Sequence, residues 1–126
     1  MKHLYAILFL CLAVSCTPRA VREAERTLHE ADSLRAAGEL LQDTVRLQHA
    51  ADAFSRITHK EELARVYYYL GRNLSIAGRD DNAVDYYIAA TRLKPKDNNL
   101  QGRLYYNMAY ICSQQQKDSL AIITVR

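Results

Sequence analysis

The stretch from Ala64 to Asp97 constrains the fold of this chain more than any other. Its apolar residues recur at helical spacing in two runs: Val66, Tyr67, Leu70, Leu74 and Ile76, then Ala83, Val84, Tyr87, Ile88, Ala90 and Leu93. Between the runs stands Ala77-Gly78-Arg79-Asp80. Gly78 can take the left-handed backbone that ends a helix, and Asp80 or Asp81 can cap the amides that open the next one. Pro95 has no amide hydrogen to donate and stops the second helix. The result is an antiparallel pair of amphipathic helices that cannot bury its own apolar surface and needs neighbours.

Composition supports helices throughout. There are four glycines, two prolines and no tryptophan, and no run alternates apolar and polar residues long enough to suggest a strand. With 126 residues, 49% hydrophobic and 25% charged, the chain has room for one modest globular domain. Of its 17 Lys and Arg, Lys2 lies in a leader described below, leaving 16 basic against 14 acidic residues. That balance is too weak a field to imply nucleic acid.

Tyr67, Leu70, Gly71, Gly78, Ala83, Tyr87, Ala90 and Pro95 fall at fixed places of a unit running from Ala64 to Asp97. The pattern resembles a tetratricopeptide repeat, with Tyr67 replacing the usual tryptophan and Leu74 the usual tyrosine. The resemblance implies an all-α solenoid of antiparallel helix hairpins, of which about three are expected for stability.

Neighbouring units are expected on both sides. Downstream, Tyr105, Met108, Ala109, Cys112 and Ala121 match a partial second unit over 102–126, with a turn at Gln114-Gln115-Gln116-Lys117 and Asp118 or Ser119 capping the last helix. This third hairpin is truncated, and an apolar edge of Ile122, Ile123 and Val125 points either to a longer protein or to self-association through the C-terminal edge. Upstream, 20–59 reads as a degenerate N-terminal hairpin. Its helices run through Val21, Ala24, Leu28, Ala31 and Leu34, then Leu47, Ala50, Ala51, Phe54 and Ile57, with Asp43 or Thr44 as the cap between them.

The first residues read as an address. Lys2 and His3 precede the apolar run Leu4 to Val14, which is too short to span a bilayer comfortably. Residues 1–15 therefore form a signal peptide. The following Cys16 resembles the acylated cysteine of bacterial lipoproteins, although Leu12 stands one place early for the usual box. Two or three acyl chains on Cys16 would anchor the protein to an envelope membrane, inner or outer, through a short tether of residues 16–19. That leaves Cys112 as a lone thiol, expected to be a small buried hydrophobe.

No chemistry is legible. His3, His29, His49 and His59 lack zinc-helix spacing, no cysteine pair has metal spacing, and no phosphate loop or nucleophile elbow occurs. Neither metal nor cofactor is expected, and the chain reads as a binding protein, not an enzyme. By resemblance, the groove of the solenoid is lined by Arg65, Tyr68, Arg72 and Ser75 from the central unit and Arg103, Tyr106, Tyr110 and Ser113 from the next. Three arginines and three tyrosines suit an extended peptide with acidic or aromatic residues. The Lys and Asn constellation of chaperone-binding members is absent, Tyr68 and Arg72 standing in those places. The function expected is a membrane-tethered adaptor of the cell envelope; the alternatives are the sensor end of a longer regulatory protein and a fragment of a glycan-binding lipoprotein.

Overall fold

The computed structural model describes residues 18–125, with side chains through residue 118. Among them the chain forms five helices and no strand: α1 Pro18–Ala36, α2 Thr44–Arg56, α3 Lys60–Ile76, α4 Asp80–Arg92 and α5 Asn98–Val125. Helices α1 and α2 make one antiparallel hairpin and α3 and α4 a second. Helix α5 lies against α4. The chain is thus an all-α, hairpin-stacked solenoid of the kind the repeat pattern implies. One continuous core runs through it, from Leu28, Leu47 and Phe54 through Val66, Leu70 and Tyr87 to Leu100, Leu104 and Ile111.

The two hairpins turn by the same device. Gly38 (φ +80°) and Gly78 (φ +79°) both lie in the left-handed region. After each, a backbone N–H reaches back across the helix end, from Glu39 to the Leu34 carbonyl at 2.8 Å and from Arg79 to the Leu74 carbonyl at 2.9 Å. Glycine has no β-carbon to oppose that conformation, which is why it occupies both turns. The α2–α3 connection uses the same hydrogen bond, from His59 N–H to the Phe54 carbonyl, with Thr58 at φ +57° in the glycine's place.

Of the caps expected within the two hairpins, one is not made. Asp43 caps α2, its carboxylate accepting from the Arg46 amide at 3.1 Å. Asp80 and Asp81, expected to cap α4, lie instead inside its first turn behind Arg79, which makes no side-chain capping bond. There they favour the positive end of the helix dipole without holding an individual amide.

The third hairpin does not close. Helix α5 runs unbroken from Asn98 to Val125, through the Gln114–Lys117 stretch expected to turn. Those residues are good helix formers, and none is a glycine that could take the left-handed exit used at Gly38 and Gly78. No helix among the described residues covers this side of α5, and Cys112, expected to be buried, is exposed.

At the other end, Pro18 and Arg19, assigned by sequence to a tether, already belong to α1. Proline is well suited to a first turn, where its missing N–H has no partner to lose. Residues 1–15 and Cys16 lie outside the described residues. Among the described residues no helix is long and apolar enough to cross a membrane.

Candidate functional site: the inner face

Helices α1, α3 and α5 are the first members of successive hairpin positions, and their side chains meet along one face. At the α1–α3 junction Asp32 is the hub. The Tyr69 hydroxyl donates to Asp32 Oδ1 at 2.5 Å, and Arg35 Nε donates to the same hydroxyl at 3.1 Å. Arg65 Nη1 stands 3.3 Å from Asp32 Oδ2. Burial, reinforced by the bond to Asp32, holds the Tyr69 hydroxyl far above the usual phenol range, so it stays protonated and donates. The bond to Tyr69 raises Arg35 further above its ordinary value.

At the α3–α5 junction the partners are softer. Arg72 Nη1 donates to the Asn107 side-chain oxygen at 3.2 Å, and Asn107 Nδ2 donates to the Arg103 carbonyl at 2.7 Å. The Arg103 guanidinium lies over the Tyr68 ring, 5.3 Å from its centroid, a cation–π arrangement. Of Arg35, Arg65, Arg72 and Arg103 along the face, Arg65 alone is ion-paired to a carboxylate among the described residues, that of Asp32, with Glu25 and Glu62 lining the cleft beside it. The surface carries excess positive charge, with planar guanidinium forks suited to carboxylates.

The eight residues expected in the groove divide into three groups. Arg65, Arg72, Arg103 and Ser75 are half-buried, and the arginines hold neighbouring helices together. Tyr68 is only 5% exposed, wedged between Tyr69 (ring centroids 5.2 Å) and Tyr87 (6.3 Å). It belongs to the core and offers a ligand almost no surface. Tyr106 and Tyr110, by contrast, are 71% and 53% exposed, and Ser113 is exposed beside them. Tyr68 packs against neighbouring helices, whereas Tyr106 does not.

Asp32, Arg35, Tyr69 and Asn107 were not anticipated. A signal for two of them was present: Gly38 and Gly78 end equivalent helices, forty residues apart. Carrying Arg72 and Ser75 back by that interval lands on Asp32 and Arg35. A second surface adjoins this face, since α5 turns Tyr105, Ala109 and Cys112 to solvent. On α3 the corresponding Tyr67 and Gly71 are covered by α4, with Tyr67 against Tyr86 at 5.7 Å.

The comparison with known families fits this geometry. Residues 64–97 match the tetratricopeptide repeat. The match begins within α3 and ends at Asp97, whose carboxylate accepts from the Asn99 amide at 2.9 Å at the head of α5. No curated protein and no solved structure gives a match. The tetratricopeptide repeat is a protein–protein interaction module, and proteins built from it are typically scaffolds without chemistry of their own. Among the described residues no group of His, Cys, Asp or Glu is placed to hold a metal ion.

Proposed function

We propose that this chain is a membrane-tethered scaffold of the bacterial cell envelope. An acylated Cys16 holds the hairpin stack at a bilayer, and the inner face receives an extended acidic or aromatic segment of a partner protein. The observation that carries the binding half is the pairing of exposed Tyr106 and Tyr110 with the guanidinium groups of Arg72 and Arg103, which no carboxylate among the described residues neutralises. Tyrosine supplies rigid contact area with few rotors to freeze, and arginine supplies two-point recognition of a carboxylate. The tether half is supported by the apolar leader and the Ser15-Cys16 junction.

Affinity capture from detergent-solubilised envelopes tests the binding half. Reversing the arginines would disturb the helix junctions they hold, so the informative variant is Tyr106→Ala with Tyr110→Ala. Loss of the captured partner with an unchanged helical spectrum supports the proposal, and equal recovery contradicts it. Intact mass of the protein from cells tests the tether by reporting cleavage before Cys16 and the added acyl chains.

A further inference from the structure

The helix stack has two poles of opposite charge, and the chain leaves toward Cys16 from the basic one. Consecutive helices are antiparallel, so the head of α1, the α2–α3 connection and the α4–α5 connection lie at one end. Two observations fix this directly. Ala20 and Glu23 of α1 line a common cleft with Ala53 and Arg56 at the end of α2. The Glu61 carboxylate at the head of α3 accepts from the amides of Lys96 (2.9 Å) and Asp97 (2.9 Å) in the α4–α5 connection.

This pole presents Arg19, Arg56, Lys60, Arg92, Lys94 and Lys96, all exposed. Its acidic groups, Glu23, Asp52, Glu61, Glu62 and Asp97, keep their charge but are fewer. Glu61 is occupied by two backbone amides, Asp97 caps α5, Glu23 pairs with Arg19 at 3.5 Å, and Glu62 lies 4.0 Å from His59. The opposite pole, at the α1–α2 and α3–α4 turns, carries Glu39, Asp43, Asp80 and Asp81 against Arg79.

We propose that the basic pole is a contact surface for anionic phospholipid headgroups, which sets the stack upright on the bilayer with its acidic pole outward. Cys16 stands two residues before Pro18, where α1 is already helical, so a lipid there holds the head of α1 within about 7 Å of the headgroups. That is inside the screening length of about 8 Å at physiological salt, where cationic side chains still feel an anionic surface. Proximity rests on the Cys16 reading, whereas the charge of the pole does not. A membrane suits the patch better than nucleic acid does, because the cations are spread over the head of α1 and two connections at one end of the stack and do not follow a helix or a groove.

The lysines supply the test. Lys60, Lys94 and Lys96 lie at the basic pole, and Lys117 lies far along α5 as an internal control. The full-length chain, purified from cells and reconstituted in vesicles of phosphatidylcholine with or without phosphatidylglycerol, is acylated with a water-soluble amine reagent and read residue by residue by mass spectrometry. On anionic vesicles Lys60, Lys94 and Lys96 should react roughly threefold or more slowly relative to Lys117, and high salt should restore them. In the variant Arg92→Glu, Lys94→Glu, Lys96→Glu, Lys60 should lose its protection while helicity is unchanged. Equal reactivity of all four lysines on anionic vesicles overturns the proposal. Intact mass from the same sample separates the two ideas: acyl chains without protection leave the tether standing and the pole refuted, and protection without acyl chains does the reverse.

Discussion

The ring of Tyr87 occupies the space that a β-carbon on Gly71 would need, with ring atoms Cδ1 and Cζ only 2.8 and 3.0 Å from that position. Helices α3 and α4 close on each other because one side contributes nothing and the other contributes a whole phenol ring, fully buried. Gly71→Ala gains about 1 kcal/mol of helix propensity, yet overpacking a rigid aromatic contact costs typically 1–3 kcal/mol. The variant is expected to be less stable by about 1 kcal/mol or more in urea unfolding. Combined with Tyr87→Leu, which vacates the space, the same Ala should cost nothing relative to Tyr87→Leu alone.

The hydroxyl of Tyr87 is buried without a hydrogen-bond partner among the described residues. Removing an unmet donor relieves its desolvation, so Tyr87→Phe should be neutral or more stable by about 1 kcal/mol. Burial also pushes this phenol up to about 12 from an ordinary 10.0, against the opposing pull of the Arg72 charge. A raised phenol value favours the protonated native state. Its contribution is complete below pH 10.0 and is lost as pH rises toward about 12. Stability measured across that window should fall, and Tyr87→Phe should fall less steeply.

Asp32 binds α1 to α3 through both Tyr69 and Arg65. Tyr69→Phe deletes one donor and should cost about 1–3 kcal/mol by chemical denaturation. Asp32→Ala strips both partners, leaving the Tyr69 hydroxyl and Arg65 without their acceptor, and should cost more than Tyr69→Phe. A cost for Asp32→Ala no larger than that of an exposed ion pair, about 0–1 kcal/mol, would show that the hub is solvated and not structural.

How much of this was legible in one dimension follows from which contacts are local. The hairpins were, because a helix face depends on spacing of three and four residues and a turn on its own glycine, as Leu74 and Gly78 show. Asp32 and Tyr69, 37 residues apart, meet only through the stacking of hairpins, which no local pattern encodes. Tyr68 has the same limit. Its place in the repeat suggests a groove position, but Arg103 of α5 laid across its ring and Tyr87 of α4 enclose it from other helices, with Tyr69 beside it on α3. The turn expected at Gln114–Lys117 failed for a local reason, since polar residues alone do not end a helix and the stretch lacks the glycine that did so twice before.

Thr58 holds a left-handed backbone at φ +57°, a conformation that opposes its β-branched side chain by about 1–2 kcal/mol. Thr58→Gly should therefore raise stability by about 1 kcal/mol, and Gly78→Ala, imposing the same conflict at φ +79°, should lower it by about the same amount. Thermal melts of the two variants against wild type check both signs.

The central claim is that the inner face holds a protein partner. A photo-reactive amino acid placed at Tyr106, exposed on α5 at that face, and separately at Ile88, exposed on α4, measures this in cells. The account predicts a discrete cross-linked product from position 106 and none from position 88. Cross-linking that is equal from the two positions, or confined to position 88, would contradict it.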